Sequence, residues 1–479
     1  MKNNWRIFLC CSLFLYIGIN ISFSQLRWDS LGQKTNTLYS QGINVLYADS
    51  NYLYAAGRFN RIAGIHAQGI ARWNGSKWDT MGGGIDALNY HDTLPGSYPD
   101  NTWAIINYHS KLYVAGDFFS LGSVWSVGLG TWNGVKWDSL PVQPQTAGDA
   151  LAVINDKLYM GGGFNSVANI PCNGIACWND TNWSSLNFPH FSSWQSISAI
   201  CEYKGDIYAG GHFAGNNGAI GNIMRLDSAG WHAVDTGIKG ASAWITCMAI
   251  YNGELYVAGY FFKSDGNAGN CIQKWNGASW SDVGGGINYE VFNLMVYHRK
   301  LYAMGELTGA GGISASKIAE WDGTKWCSLG STFQNTITSA CEYKDSLYVG
   351  GAFRTINGDS INYVAEWTGG DYTANCSQPA GISEINNKGG KVEAYPNPSN
   401  GNFTITFSHP VPMAIGVVSG SQTIEVYNIL GERIYNAMLN QVQHDYQIDL
   451  SKQANGIYLY RVINETGNLV GEGKLIIQK

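Results

Sequence analysis

Leu53-Tyr54-Ala55-Ala56-Gly57, followed after a loop by Trp73-Asn74-Gly75-Ser76-Lys77-Trp78, decides the fold. The phrase recurs. Its tyrosines stand at Tyr54, Tyr113, Tyr159, Tyr208, Tyr256, Tyr302 and Tyr348, at spacings of 59, 46, 49, 48, 46 and 46 residues. A fixed period of this size marks a repeat architecture. Each copy holds four strand-like pieces. In the fifth they are Trp244–Tyr251, Glu254–Phe261, Asn270–Trp275 and Ser279–Val283. Turns such as Asn252-Gly253 and Asn276-Gly277 separate them. Asn-Gly between alternating apolar runs is a strong hairpin signal. Four antiparallel strands per repeat predict one blade of a β-propeller.

The tryptophans set the count. Third-strand positions hold Trp73, Trp132, Trp178, Leu226, Trp275, Trp321 and Trp367. Fourth-strand tryptophans stand at Trp78, Trp137, Trp183, Trp231, Trp280 and Trp326, one fewer than the Tyr-x-x-Gly units. The seventh unit runs past Trp367 into Gly369-Gly370-Asp371-Tyr372 without a second tryptophan. Trp28-Asp29-Ser30-Leu31 matches Trp137-Asp138-Ser139-Leu140. The N-terminal strand is therefore expected to complete the last blade and close the ring, which removes open sheet edges. The fold class is all-β: a seven-bladed β-propeller over 25–376 closed by an N-terminal strand. The thirteen in-register tryptophans are expected to pack between blades.

Charged residues make up 13% of the 479 residues, about half the usual share, and glycine contributes 60. That mix suits short strands and tight turns. A net charge of −6 without a basic patch argues against nucleic-acid binding. Residues 1–24 read as a signal peptide: Lys2 and Arg6, an apolar run from Ile7 to Ile21, then Ser22-Phe23-Ser24. A retained membrane anchor is the alternative reading of the same run. No later stretch is apolar for about 18 residues, so the mature chain is expected to be soluble. Eight cysteines remain after cleavage, out of step with the repeat. Cys172 and Cys177 are the one close pair and could close a small loop; buried free thiols are the other reading.

Topology predicts which face carries function. Turns 1–2 and 3–4 lie on one face and are uniformly short, as in Lys204-Gly205. Loops 2–3 and the blade connections lie on the other and are long and varied, with the largest insertion from Asp86 to Thr102. Such loops on a rigid scaffold commonly carry function. The residue after each Tyr-x-x-Gly is Arg58, Asp117, Gly163, His212, Tyr260, Glu306 or Ala352, whereas the next is almost always Phe. Equivalent positions with differing polar groups resemble a recognition surface. Trp103, Trp125, Trp194 and Trp244 fall outside the tryptophan register, in or beside these loops. Their faces could stack on sugar rings. Solvent-facing polar residues and loop-plugging tryptophans are the plainer reading.

Catalytic and metal motifs are mostly missing. None of His66, His91, His109, His190, His212, His232 and His298 forms a pattern with metal-ligand spacing. His109 and His298 fall in first turns. No Gly-x-Ser-x-Gly elbow or phosphate-binding loop is present, and the Gly-Gly-Gly at 82–84 and 284–286 reads as a turn. Asp117 and Glu306 could approach one axis as paired acids for glycosidic cleavage, where the carboxylate separation sets the mechanism. No metal or cofactor is expected. Ser264-Asp265-Gly266-Asn267 and Asn357-Gly358-Asp359-Ser360 read as turns rather than calcium loops.

After Cys376 the repeat stops. A polar linker, 377–391, leads to Tyr395-Pro396-Asn397-Pro398 with Gly401 and then about seven short strands, a small Ig-like β-sandwich. Val426-Tyr427-Asn428-Ile429-Leu430-Gly431-Glu432, Gly456-Ile457-Tyr458-Leu459-Tyr460-Arg461 and Gly473-Lys474-Leu475-Ile476-Ile477 follow. In this order they closely resemble the type A C-terminal sorting domain of the Bacteroidota type IX secretion system. The sorting positions are Tyr395, Pro396, Asn397, Pro398, Gly401, Gly431, Gly456, Tyr458 and Lys474. The resemblance implies passage to the periplasm by the signal peptide, then across the outer membrane. It implies removal of 392–479 by the system's sortase within 377–391. Release, or attachment to surface lipopolysaccharide, would follow. The repeats also resemble bacterial Kelch-type repeats and those of fungal Rax2-like cell-polarity proteins, which supports a fold and not a ligand.

The chain is thus expected to be a secreted or surface-displayed binding or adhesion propeller with a glycan or protein ligand. An extracellular polysaccharide-active enzyme and a non-binding structural repeat are the alternatives. The missing catalytic motifs weigh against an enzyme without deciding the matter.

Overall fold

A computed structural model describes residues 28–31, 40–86, 101–191, 195–213, 221–368, 391–408, 422–428, 432–439, 445–464 and 469–479. The signal peptide, most of the Asp86-to-Thr102 insertion, Trp194, Gly431 and nearly all of the 377–391 linker lie outside them. The chain divides into two units, Met1–Pro379 and Ala380–Lys479. Apart from one 3-10 turn at Lys263–Asp265, the regular elements among the described residues are strands.

Among its described residues the first unit contains seven four-stranded antiparallel sheets. In chain order their first strands are Ser40–Ala48, Thr102–Tyr108, Ala150–Ile154, Ser196–Tyr203, Trp244–Tyr251, Val291–Tyr297 and Ile337–Tyr343. We number the sheets 1 to 7 accordingly. In sheets 1 to 6 the four strands follow the chain. In sheet 7 the place beside Val364–Trp367 is taken by Trp28–Ser30. Trp28 lies opposite Trp367 in the register that joins Trp73 to Trp78 and Trp321 to Trp326. The first strands of successive sheets pack on one another, and Ser40–Ala48 also packs on Ile337–Tyr343.

The repeated tryptophans pack between sheets. Ten of the thirteen are buried, and Trp73, Trp231 and Trp280 are half-buried. Fourth-strand indoles donate to carbonyl oxygens of the preceding sheet: Trp137 to Met81 (2.7 Å), Trp183 to Val142 (2.9 Å) and Trp326 to Val283 (2.8 Å). These three rings therefore remove apolar area from water while their polar edges are satisfied, whereas the buried Trp78 indole N–H has no such acceptor among the described residues. The Asn between paired tryptophans has a separate task. Asn74, Asn133, Asn179 and Asn276 each accept backbone N–H bonds from the residues two and three positions on. This shapes the 3–4 turn.

The glycine of Tyr-x-x-Gly answers to a steric demand. In six sheets the first strand bulges or shifts register. Its backbone then crosses close over that glycine. A Cβ on Gly211 would lie 2.0 Å from the Ser196 carbonyl oxygen, on Gly259 2.2 Å from that of Trp244, and on Gly305 2.2 Å from that of Glu290. Backbone cannot yield as a flexible side chain can. Gly211→Ala is expected to destabilise the first unit by about 3 kcal/mol, the upper range of overpacking. A urea midpoint unchanged from the parent would refute this.

Two features were not read from the sequence. Loops 2–3 of sheets 1, 2, 3, 6 and 7 each fold into a small hairpin, such as Arg61–Ile62 with Ile65–His66 and Thr355–Ile356 with Asp359–Ser360. In addition, a tyrosine ending the first strand donates to a carbonyl in the next sheet's 1–2 turn. The bonds are Tyr108 to Asp156 (3.2 Å), Tyr203 to Gly253 (3.1 Å), Tyr251 to Arg299 (3.1 Å), Tyr297 to Asp345 (2.9 Å) and Tyr343 to Asn51 (2.8 Å). The last runs from sheet 7 to sheet 1. His109 and His298 stack on Tyr108 and Tyr297 at 3.9 and 4.0 Å, on the exposed turn side.

The expected Cys172–Cys177 loop is corrected: both thiols are free. Cys172 packs with Phe164 and Val167, and Cys177 with Ala152, Ile154 and Tyr159, in separate parts of the core. Cys327 is disulfide-bonded.

Among its described residues the second unit has seven strands in two sheets. Lys391–Tyr395, Asn402–Ser408 and Asp445–Asp449 form one; Arg433–Leu439, Gln422–Tyr427, Gly456–Asn464 and Leu469–Ile477 form the other. Phe403, Ile405, Ile424, Val426, Ile448 and Val462 help fill the core they share. Asn397 of the Pro-Asn-Pro turn ties it to the last strand. It donates to the Lys474 carbonyl (2.6 Å) and accepts from the Ile476 N–H (2.8 Å). Gly401, at φ +115°, passes where a Cβ would meet Ser451 Cα at 2.6 Å. The Tyr458 hydroxyl donates to the Ala454 carbonyl (2.9 Å).

Glu425 is buried and accepts from Tyr427 (2.7 Å), Arg433 (2.7 Å) and Arg461 (2.6 Å). The Tyr427 hydroxyl and the two guanidinium groups hold its pKa down from 4.5 to about 2. The arginines are half-exposed (52% and 49%), so water screens the network. A depressed carboxylate stabilises above its unfolded pKa, and that contribution is lost as pH falls. Glu425→Gln is expected to cost about 1–2 kcal/mol near neutral pH. The difference should vanish between pH 4.5 and about 2. Hydrogen exchange over 422–464 reads it; an identical pH profile in the variant would contradict it.

Candidate functional site

The bulges set the geometry of the candidate site. They place the start of each first strand beside the residue that follows Tyr-x-x-Gly. Gly42 lies opposite Arg58, Ser196 opposite His212, and Trp244 opposite Tyr260. The Asp117 N–H donates to the Asn101 carbonyl (2.8 Å), and the Glu306 N–H to that of Glu290 (2.9 Å). Two rows of side chains thus run together from sheet to sheet. The residues that follow the second of these rows, Phe59, Phe118, Phe164, Phe213, Phe261, Leu307 and Phe353, are buried in the apolar core.

Asp117 is exposed, while Arg58, His212, Tyr260 and Glu306 are half-buried. Trp103, second residue of its strand, is 44% exposed. Trp125, in the small hairpin of sheet 2, is 56% exposed and lies 6.2 Å from the exposed Phe119. Trp244 is 41% exposed.

Three of the sequence-derived residues meet where sheets 5 and 6 adjoin. Tyr260 stands at the centre of this corner. Its ring lies 6.1 Å from Trp244, 4.9 Å edge-on from Phe262 and 6.0 Å edge-on from the exposed Tyr289. The Trp244 indole donates to Glu290 Oε1 (2.7 Å), and the Thr336 hydroxyl to Glu306 Oε1 (3.4 Å). Burial raises the Glu290 pKa, the Trp244 bond opposes that, and the nearby Glu306 charge adds to it. A cleft of about 330 Å³ adjoins in sequence, lined in part by Asn270, Ile287, Asn288 and Ile313.

A second polar cluster joins sheets 2, 3 and 4. Ser196 donates to Asp149 (2.8 Å). Burial raises the Asp149 pKa, against the Ser196 bond, and Asp117 contributes to the rise. Asp117 and Glu306, considered together in the sequence, therefore each influence a different acid: Asp149 and Glu290. Arg58 and Trp103 stand at the corresponding places in sheets 1 and 2. Among the described residues no group of three or more His, Cys, Asp or Glu could hold a metal ion. Sequence reasoning missed Phe262, Tyr289, Glu290 and Asp149. Comparing first-strand starts across the copies, as was done for second-strand ends, exposes three of them.

Residues 393–478 match the family described as secretion system C-terminal sorting domain. This domain indicates secretion or cell-surface localisation through the type IX machinery. No curated protein sequence matches the chain. Among solved structures, the chain is similar to the extracellular domain of a B. thetaiotaomicron protein named as a hybrid two component system. The identity is 12%, 95% of this chain and 60% of that one are covered, and the TM-score is 0.46. A form named as a one component system gives 12%, 95%, 58% and 0.44. The chain thus spans 58–60% of the length of these two. The β-propeller domain of the Trilobed protease from Pyrococcus furiosus, named for an open velcro topology, is 9% identical. There 68% of this chain and 95% of that one are covered, with a TM-score of 0.39. Among the described residues no helix is long and apolar enough to cross a membrane.

Proposed function

We propose that the chain is an exported recognition protein that binds glycans on the loop side of its repeats. In this reading residues 25–376 form a closed seven-bladed propeller of Kelch-like repeats. The Trp28–Trp367 pairing and the Tyr343–Asn51 bond support closure. Residues 1–24 carry the chain to the periplasm. Residues 392–479 then direct it across the outer membrane of a Bacteroidota cell, and cleavage in 377–391 leaves the propeller free or on surface lipopolysaccharide.

The observation that carries the binding reading is the corner of Trp244, Tyr260 and Tyr289. Large rings there remain partly exposed beside hydrogen-bonding carboxylates. Aromatic faces with nearby polar groups suit sugar rings, apolar on one side and hydroxylated at the rim. A glycan array probed with the full chain tests it. Alanine at Trp244 should remove most binding, and alanine at Trp103, Trp125 or Trp194 should reveal whether other sheets take part. Equal binding by the Trp244 variant would place the site elsewhere.

The two acid pairs favour one second reading, a polysaccharide-active enzyme. Asp149 and Glu290 are each raised by burial next to another acid, as general acids are. Turnover of a polysaccharide, lost in Asp117→Asn or Glu306→Gln, would establish it. Neither binding nor turnover would leave a structural repeat.

A further inference from the structure

We infer that the corner of sheets 5 and 6 binds an oligosaccharide carrying primary ammonium groups, of the glucosamine type. The inference rests on the glycan reading and narrows it by charge. Glu290 and Glu306 stand side by side at one rim, and among the described residues neither carboxylate forms an ion pair. Lys317 gives its ammonium to the main-chain carbonyl of Glu306 (3.1 Å) and not to a carboxylate. Lys263 pairs with Asp282 (2.9 Å). The partners that the carboxylates do have are neutral: the Trp244 indole for Glu290 and the Thr336 hydroxyl for Glu306. Burial raises the Glu290 pKa, and the neighbouring Glu306 charge adds to the rise.

A neutral sugar would stack on the rings but cover two carboxylates without cancelling their charge, which is costly. An ammonium at the sugar's C2 would donate charge-assisted hydrogen bonds to them. It would also gain from the faces of Trp244 and Tyr260. The Trp244 N–H is already committed to Glu290, so the indole is fixed by its edge and offers its face. Ring centroids lie about 6 Å apart from Trp244 through Tyr260 to Tyr289, tilted and then edge-on, so aromatic surface continues along the corner beside the carboxylates.

Calorimetry of the full chain with a glucosamine oligomer, its N-acetylated counterpart and a lysine oligomer tests this. The glucosamine oligomer should bind about tenfold more tightly than the acetylated one, the scale of one charge-assisted bond. Glu290→Gln and Glu306→Gln, both close in shape to the parent, should erase that preference. Tyr289→Ala, at a 46% exposed position, should weaken both sugars without lowering the melting temperature. Equal binding of the two sugars, untouched by Glu290→Gln, would overturn the charge assignment and leave glycan binding standing. A lysine oligomer binding as tightly as the glucosamine oligomer would overturn the sugar. No binding of the glucosamine oligomer by a chain that binds other glycans would refute the inference alone. Binding to no glycan would remove the wider reading too.

Discussion

Trp28→Ala is expected to lower the stability of the first unit by about 3–5 kcal/mol, the usual range for losing a buried tryptophan. Trp28 is 4% exposed. Its ring meets Phe333 at 5.2 Å and Trp367 at 4.9 Å, both edge-on, and its N–H donates to Ser331 Oγ (3.0 Å). Truncation opens a cavity between sheets 6 and 7 and removes a buried hydrogen bond. It also releases the strand that pairs with Val364–Trp367 from 334 residues away in the chain. Hydrogen exchange over 364–367 should rise well beyond that of the other third strands. Trp280→Ala is the comparison, because that equivalent ring is half-buried and bonds at 3.2 Å. A loss below about 1 kcal/mol for Trp28→Ala, the scale of an ordinary substitution, would mean that the N-terminal strand does not hold the fold together.

Deleting residues 392–479 should abolish export. The chain is expected to accumulate in the periplasm, with almost none in the medium or on the surface. Residues 393–478 match the sorting-domain family, and they form their own two-sheet unit with its own core. Cell fractionation and protease shaving of intact cells measure the outcome. Normal surface display of the shortened chain would sink the export role. Asn397→Ala offers a finer probe. It removes both bonds that tie the Pro-Asn-Pro turn to the last strand, and should lower export without deleting anything.

The strands of the repeats were legible because their signals are local. Trp244–Tyr251 begins and ends where the sequence placed it, and Trp28 pairs as its neighbours suggested. The tyrosine bonds between sheets were not legible. Tyr108 and Tyr343 read as ordinary apolar strand ends, and their partners at Asp156 and Asn51 are backbone carbonyls that leave no mark in sequence. The small hairpins of the 2–3 loops were overlooked because two-residue strands carry too little periodicity. Their turns, such as Asn357-Gly358 with both φ positive, were the usable trace. The corner of sheets 5 and 6 was half legible. Trp244, Tyr260 and Glu306 stood out as departures from a repeated position. Tyr289 and Glu290 lead into a different strand, Val291–Tyr297, and only folding makes them neighbours of Tyr260.

The tyrosine bonds also rank the joints of the molecule. Five junctions between sheets have one, including the junction from sheet 7 to sheet 1. From sheet 1 to sheet 2 a substitute exists, with Tyr47 accepting from the Asn107 N–H (3.1 Å). From sheet 3 to sheet 4 the corresponding strand ends in Ile154, which has no hydroxyl to give. Under pulling force that seam, left to bonds such as Ser196 to Asp149 (2.8 Å) and Trp231 to the Leu186 carbonyl (2.9 Å), should part before the five that also have a tyrosine bond, giving the molecule a built-in place to begin unzipping.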